Sequence, residues 1–287
     1  MLQTSKPLSF AALAIAARRR LLQMHYEAKV GHIGGNLSAL DAILYLHGLV
    51  MGNDDVFVLS KGHAAGALYI ALWANGLIHE DELATFHQDG TRLAGHPTPK
   101  SHERIAFATG SLGHGLGLAS GVALGKLLRG EAGRVFCLLS DGECQEGSTW
   151  EALIFAHHRR LSNLVIMVDA NGLQGFGTTR EIASLDPLAE RLRGFGLRTL
   201  EIDGHCEDAL HDAFQAVGDG PLALVMRTVK GCGISFMENK LEWHYLPLDT
   251  EQYQVAMLEL AAQEMRESLR RPARRPSRRA LSSLAVA

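Results

Sequence analysis

Six short apolar runs, VFVLS (56–60), IAFAT (105–109), VFCLLS (135–140), LVIMVD (164–169), TLEI (199–202) and LALVMRT (222–228), constrain the fold of this chain more than any other feature. They are rich in β-branched and aromatic residues and continuously apolar, which is what a strand covered on both faces requires. Helical patterns at 115–129, 149–160, 187–194 and 205–217 lie between them. That alternation predicts an α/β fold, a doubly wound and mostly parallel sheet with helices on both faces. Ligands of such sheets bind outside the carboxyl ends of the strands. Each run here is followed at once by a polar or glycine cluster: SKGHA, TGSLGHG, SDGECQEG, DANGLQG, DGH and VKGCG.

With 287 residues, 47% of them hydrophobic, the chain can bury one large core. Nothing resembling a repeat or linker interrupts it before about residue 250, so one domain is expected over 1–265, followed by a flexible tail over 266–287. The net charge of −3 is unevenly spread: residues 266–279 hold seven arginines against Glu267, about +6, and leave the remainder near −9. An acidic body argues against a nucleic-acid groove. The Pro-interrupted RRPARRPSRR reads as a solvated extension. Four cysteines without a CxxC pair argue against a disulfide framework or a zinc site and fit a reducing cytoplasm. PLSFAALAIAARRR mimics a secretion signal, but the amphipathic pattern continues through Leu21, Leu22, Met24 and Tyr26, so a helix of the fold is expected. No window is expected to reach the length of a membrane span.

LLSDGECQEG ends an apolar run with a carboxylate, Asp141, at the strand tip. Asn171 ends the next candidate strand one βαβ unit later. Together with a carbonyl at Leu173, turned inward by the bend in NGLQG, these give three oxygens and no soft ligand, the donor set of a hard cation such as Mg²⁺. The bland alternative is an N-capping Asp and a turn Asn. Glycines 110, 113, 115 and 117 crowd the start of a helix, where free N–H groups suit a phosphate, although glycine there also allows close helix packing. The dinucleotide fingerprint is incomplete, because no acidic residue follows a second strand at the required distance. His32, His63, His96 and His244 sit in loops beside strand ends. Neutral imidazoles converging on one pocket could handle hydroxyls or a diphosphate without fixed charge. His157 and His158 read as surface residues.

The SDG…N pair resembles the thiamine diphosphate motif. GHIGGNLSALDAI, VFVLSKGHAAGALY, AGHPT, ATGSLGHGLGLASG, SDGECQEGSTWEA, DANGLQGFG and KGCGISFMENKLEWH resemble transketolase segments in the family's order, from about residue 10 to 250. The match reaches only the family's diphosphate-binding region. The resemblance therefore implies the amino-terminal subunit of a split, two-subunit transketolase that needs a carboxy-terminal, pyrimidine-binding partner, with a heterotetramer of two chains and two partners as the expected assembly. It implies thiamine diphosphate and Mg²⁺ (or Ca²⁺) as cofactors and sugars as substrates, with no nucleic acid or membrane involved. It further implies that Asp141, Asn171 and the Leu173 carbonyl hold the metal, that Gly142 meets the diphosphate, and that His63 and His244 face it. Gly110, Ser111 and Leu112 line the cofactor; Lys230 and Glu146 lie near the site and the subunit contact. His32 and His96, with His244, carry the catalytic roles.

Ser140 stands where the family's metal motif starts with glycine, Ala170 where Asn is common, Thr98 where Glu follows His-Pro, and His114 where Gln is usual; Thr98 and Ile33 lie nearer the sugar. The function implied is transfer of a two-carbon ketol unit from a ketose, expected to be a phosphate, to an aldose or aldehyde. A thiamine-dependent ketoacid-decarboxylating or acyl-transfer subunit, or a non-catalytic Mg-diphosphate regulatory module, are the alternatives.

Overall fold

The computed structural model describes residues 9–216 and 218–269. In chain order its strands are β1 (Val56–Leu59), β2 (Val135–Ser140), β3 (Leu164–Ala170), the short hairpin strands β4 (Leu173–Gln174) and β5 (Gly177–Thr178), β6 (Arg198–Asp203) and β7 (Leu222–Arg227). The helices are α1 (Phe10–Ala28), α2 (Ile33–Tyr45), α3 (Ala65–Ala74), α4 (Glu80–Leu83), α5 (Gly115–Arg129), α6 (Gly147–His158), α7 (Thr179–Ala183), α8 (Leu188–Gly194), α9 (Glu207–Gln215) and α10 (Thr250–Leu269).

Five strands pair in the order β1-β2-β3-β7-β6, all parallel. Every residue of β2 and β3 is buried, as their unbroken apolarity required. Alternate side chains go to opposite faces. Phe136, Leu138, Val165, Met167, Leu222 and Leu224 join a core with α1, α2, α3, α9 and α10. Val135, Cys137, Leu139, Ile166, Val168 and Val225 pack against α5, α6 and α8. Helices thus cover both faces, the doubly wound arrangement expected.

Three expectations need correcting. IAFAT forms no strand: Ile105 is buried in one core and Phe107 packs against the other, with Ala106 exposed between them in a loop. The run is apolar because its ends anchor that loop on two different faces, not because a neighbouring strand covers it. One segment, Ile33–Val50, is long and apolar enough to cross a membrane by length and composition. It is mostly buried, and all of α2 lies in the core, which accounts for its composition. Residues 266–269 continue α10 as helix; the rest of the tail, 270–287, lies outside the described residues.

The amino-terminal helix forms as read. Ser9 caps α1, its Oγ accepting from the Ala12 N–H at 3.1 Å. Lys29 ends the helix in the left-handed conformation. Leu13, Ala17, Leu21 and Leu22 are buried against the sheet layer.

Candidate active site

Parallel registry sets the site. Ser140 lies beside Asp169 and Ala170 beside Arg227, so the residues that follow β2 and β3 emerge side by side at one edge. Asp141 Oδ2 accepts from the Gly172 N–H at 2.6 Å, and its Oδ1 from the Gly142 N–H at 2.8 Å. Asn171 Nδ2 donates to Ser38 Oγ at 3.4 Å, which turns Oδ1 the other way, where it accepts from the Leu173 N–H at 3.0 Å. The tight hairpin β4-β5 holds Leu173, whose carbonyl accepts from Lys230 Nζ at 3.4 Å.

Asp141 is only 9% exposed, and no ion pair engages it among the described residues. Burial, with the charge of Asp169 adding to it, pushes its carboxyl up to about 6. A buried carboxylate held only by amide N–H groups, with an Asn oxygen and a carbonyl close by, fits a hard divalent cation that would relieve this cost.

The four loop histidines converge although up to 212 positions separate them. Ring centroids of His32 lie 5.5 Å from His63, 6.3 Å from His96 and 5.1 Å from His244, and His63 lies 5.7 Å from His244. His32 is held at the start of α2 in a left-handed conformation by its N–H, which donates to the His244 carbonyl at 3.1 Å. Gly110, at φ 138°, has no room for a side chain: a Cβ there would lie 2.7 Å from His96 Cδ2. Ser111 is exposed and Leu112 half-buried beside it; Glu146, the N-cap of α6, is exposed, and its half-buried neighbour Gln145 reaches α7.

Burial is the main cause that lowers the His32, His63 and His244 rings; His96 adds to it at His32, Lys61 at His63 and Lys230 at His244, where the value falls to about 3. All three are neutral at pH 7. Lys230 Nζ lies 2.9 Å from His244 Nδ1, so Nδ1 accepts and the proton sits on Nε2. Burial, then the charge of Lys61, lowers Lys230 to about 8. His32 Nδ1 is buried without a partner among the described residues. The Lys230 ammonium among neutral imidazoles suits an anion such as a diphosphate.

Sequence reasoning missed the layer beneath. Lys61, at the tip of β1, is 1% exposed and forms an ion pair with fully buried Asp169. Asp169 Oδ2 also accepts from Ser38 Oγ at 2.6 Å, and Thr228 donates to its Oδ1. Ser38 thereby links this network to Asn171. Buried Glu143 accepts from the N–H groups of Gly113 at 2.9 Å and Ser140 at 3.2 Å and from Ser60 Oγ, tying three loops together. The available signal was charge at strand tips: Lys61 and Asp169 each end an otherwise apolar run. A cavity of about 220 Å³ adjoins Asp141, Asn171, Arg180 and Arg227, but none of the four histidines lines it.

The family described as "Transketolase, thiamine diphosphate binding domain" matches residues 13–264. The chain is 36% identical over 256 residues to one subunit of the apulose-4-phosphate transketolase of Phocaeicola vulgatus, covering 85% of this chain and 91% of that protein. It is 38% identical to the SqwG subunit of the 6-deoxy-6-sulfo-D-fructose transketolase of a Clostridium species, covering 85% and 93%. Against the Homo sapiens transketolase the identity is 38%, but the match covers only 40% of that longer chain. The solved transketolase of Campylobacter jejuni superposes with a TM-score of 0.82 over 91% of this chain and 46% of its own, at 24% identity, a likeness of fold. With the family matched over residues 13–264 and relatives of similar length more than a third identical, the chain belongs to the transketolase family, as its thiamine diphosphate binding domain.

Proposed function

We propose that this chain is the metal- and diphosphate-holding subunit of a two-subunit transketolase, active with a pyrimidine-binding partner on a ketose donor and an aldose or aldehyde acceptor. The observation that carries the reading is the cluster of neutral imidazoles of His32, His63 and His244, with His96 beside them, next to the buried carboxylate of Asp141. Relatives of this length carry names of split-enzyme subunits, which supports a partner, and a tetramer of two chains of each kind is the assembly proposed. Those names specify a phosphorylated and a sulfonated sugar, which supports a ketose with an anionic terminus. The four unpaired cysteines support a reducing, cytoplasmic setting.

In this reading Asp141, Asn171 Oδ1 and the Leu173 carbonyl would hold the divalent ion, and Gly142 would meet the diphosphate. Thiamine diphosphate, when bound, supplies the electron sink for carbon–carbon cleavage. His244 presents its Nε2–H to the anion because Lys230 occupies Nδ1, and His63 faces the same side. The lining falls to Gly110, Ser111 and Leu112, with Glu146 toward the subunit contact. His32 and His96 meet the sugar. A ring kept neutral by burial can take a hydroxyl proton and return it, which typically contributes about 10²–10⁴-fold. The partner, laid over this edge, would exclude water from the reacting carbon.

The test is co-purification of the chain with its partner, cofactor titration of each alone and together, and assay of the pair with a ketose phosphate. Tight cofactor binding and ketol transfer by the pair alone is expected. Saturable binding without transfer would favour a regulatory module, and turnover of a 2-ketoacid instead would favour decarboxylation; either result overturns the proposal.

A further inference from the structure

Helix α10 carries an apolar stripe on the side turned away from the protein. Its buried face, Ala256 and Leu260, packs into the core, and Arg19 to Glu264 (2.9 Å) and Tyr26 stacked on Tyr253 (4.2 Å between centroids) fix it to α1. Val255, Leu258, Ala262, Met265 and Leu269 are all exposed, Leu258 by 71%, Met265 by 69% and Leu269 by 80%. At about 100° per residue these five fall on one line roughly opposite Ala256 and Leu260. Scattered exposed leucines need no explanation, but this spacing of three and four, repeated across the helix, is that of a coiled-coil seam.

The stripe is complementary to itself. When a second α10 is laid antiparallel with Ala262 facing Ala262, Val255 meets Leu269 and Leu258 meets Met265. On one flank Glu259 then faces Arg266 of the other copy, twice by symmetry. The other flank offers Gln254, Ala261 and Ser268, small or uncharged groups that let the helices approach closely. In a parallel pair Glu259 would face a position on the opposite flank, and the charge match would be lost.

We infer that α10 is a self-association surface, on which a second copy of the same helix docks antiparallel about a two-fold axis at Ala262. The contact is isologous, so one surface serves both copies. It uses none of the residues placed in the candidate active site.

The test uses the full chain together with its partner subunit. Ala262→Cys should give a covalent dimer of this chain under mild oxidation, at a yield at least about tenfold above the unsubstituted chain, whose own cysteines set the background. Leu258→Cys alone should not, whereas Leu258→Cys combined with Met265→Cys should. By sedimentation, Glu259→Arg should weaken self-association and Glu259→Arg with Arg266→Glu should restore it; because both variants lose the Ser235 contacts of Glu259 (2.6 and 2.8 Å), the rescue isolates the intermolecular pair. Cross-linking of Ala262→Cys to the partner subunit, efficient cross-linking of Leu258→Cys by itself, or no cross-link in a chain that still binds cofactor with its partner would each overturn the inference.

Discussion

Replacing Arg18 by Met should cost more than any other single change outside the candidate site, because it strands a buried charge. Arg18 is 8% and Asp41 2% exposed, and Arg18 Nη2 forms an ion pair with Asp41 Oδ2. His205 Nδ1 lies 2.7 Å from the same oxygen, its Nε2 accepts from the Val229 N–H at 2.9 Å, and Asp41 Oδ1 has no partner among the described residues. Burial by itself would raise the Asp41 carboxyl, yet the Arg18 guanidinium and the His205 contact hold it below its ordinary range. Removing one member of such a pair costs about 3–5 kcal/mol, a large share of a typical stability of about 5–15 kcal/mol. With a urea m-value near the top of the range of about 1–3 kcal/mol/M, the unfolding midpoint should fall by about 1–2 M. Arg18→Met with Asp41→Leu removes both charges and should recover most of the loss. The hydrogen bond from Arg18 Nε to the Cys232 carbonyl, 3.3 Å, is absent from both variants and cancels between them. A depressed carboxylate contributes stability above its unfolded pKa of about 4 and loses it as pH falls through the folded value, so the wild-type acid limb should be steeper than that of Arg18→Met. A single variant within about 1 kcal/mol of wild type, or a double variant no better than the single, would refute this reasoning.

Other outcomes can be checked in parallel. Asp141→Asn in the assembled pair should abolish the rise in melting temperature produced by Mg²⁺ with thiamine diphosphate; outer-shell changes typically cost about 10–100-fold in affinity, and a ligand itself should cost more. His32→Ala and His96→Ala should leave cofactor affinity within about twofold while turnover drops about 10²–10⁴-fold, read from a cofactor titration beside steady-state rates. His25 is 2% exposed and burial lowers it to about 4. The unfolded chain therefore binds the extra proton between about pH 4 and 6.5, and stability should fall as pH falls through that window. His25→Leu should flatten that part of the urea-midpoint profile.

The helical patterns read at 115–129, 149–160, 187–194 and 205–217 correspond to α5, α6, α8 and α9 within about two residues at each end. Five of the six apolar runs became the sheet, because a strand covered on both faces must be apolar throughout. The sixth, IAFAT, has the same composition for another reason, and composition cannot distinguish the two. Lys61 and Asp169 escaped notice because 108 positions separate them, and each alone is an ordinary polar residue at a strand end.

Sequence alone determined the local chemistry: five of the strand segments, Asp141 and Asn171 at strand tips, and four histidines in loops beside strand ends. Tertiary structure decided the order β1-β2-β3-β7-β6, which threads β7 between β3 and β6 and brings Lys230 to Leu173 and His244. It also decided the protonation states, since those depend on how much water each ring and carboxylate loses and which charges come near. Short-range pattern encodes the strands and helices because side-chain periodicity is a local property, whereas burial and through-space charge belong only to the packed chain.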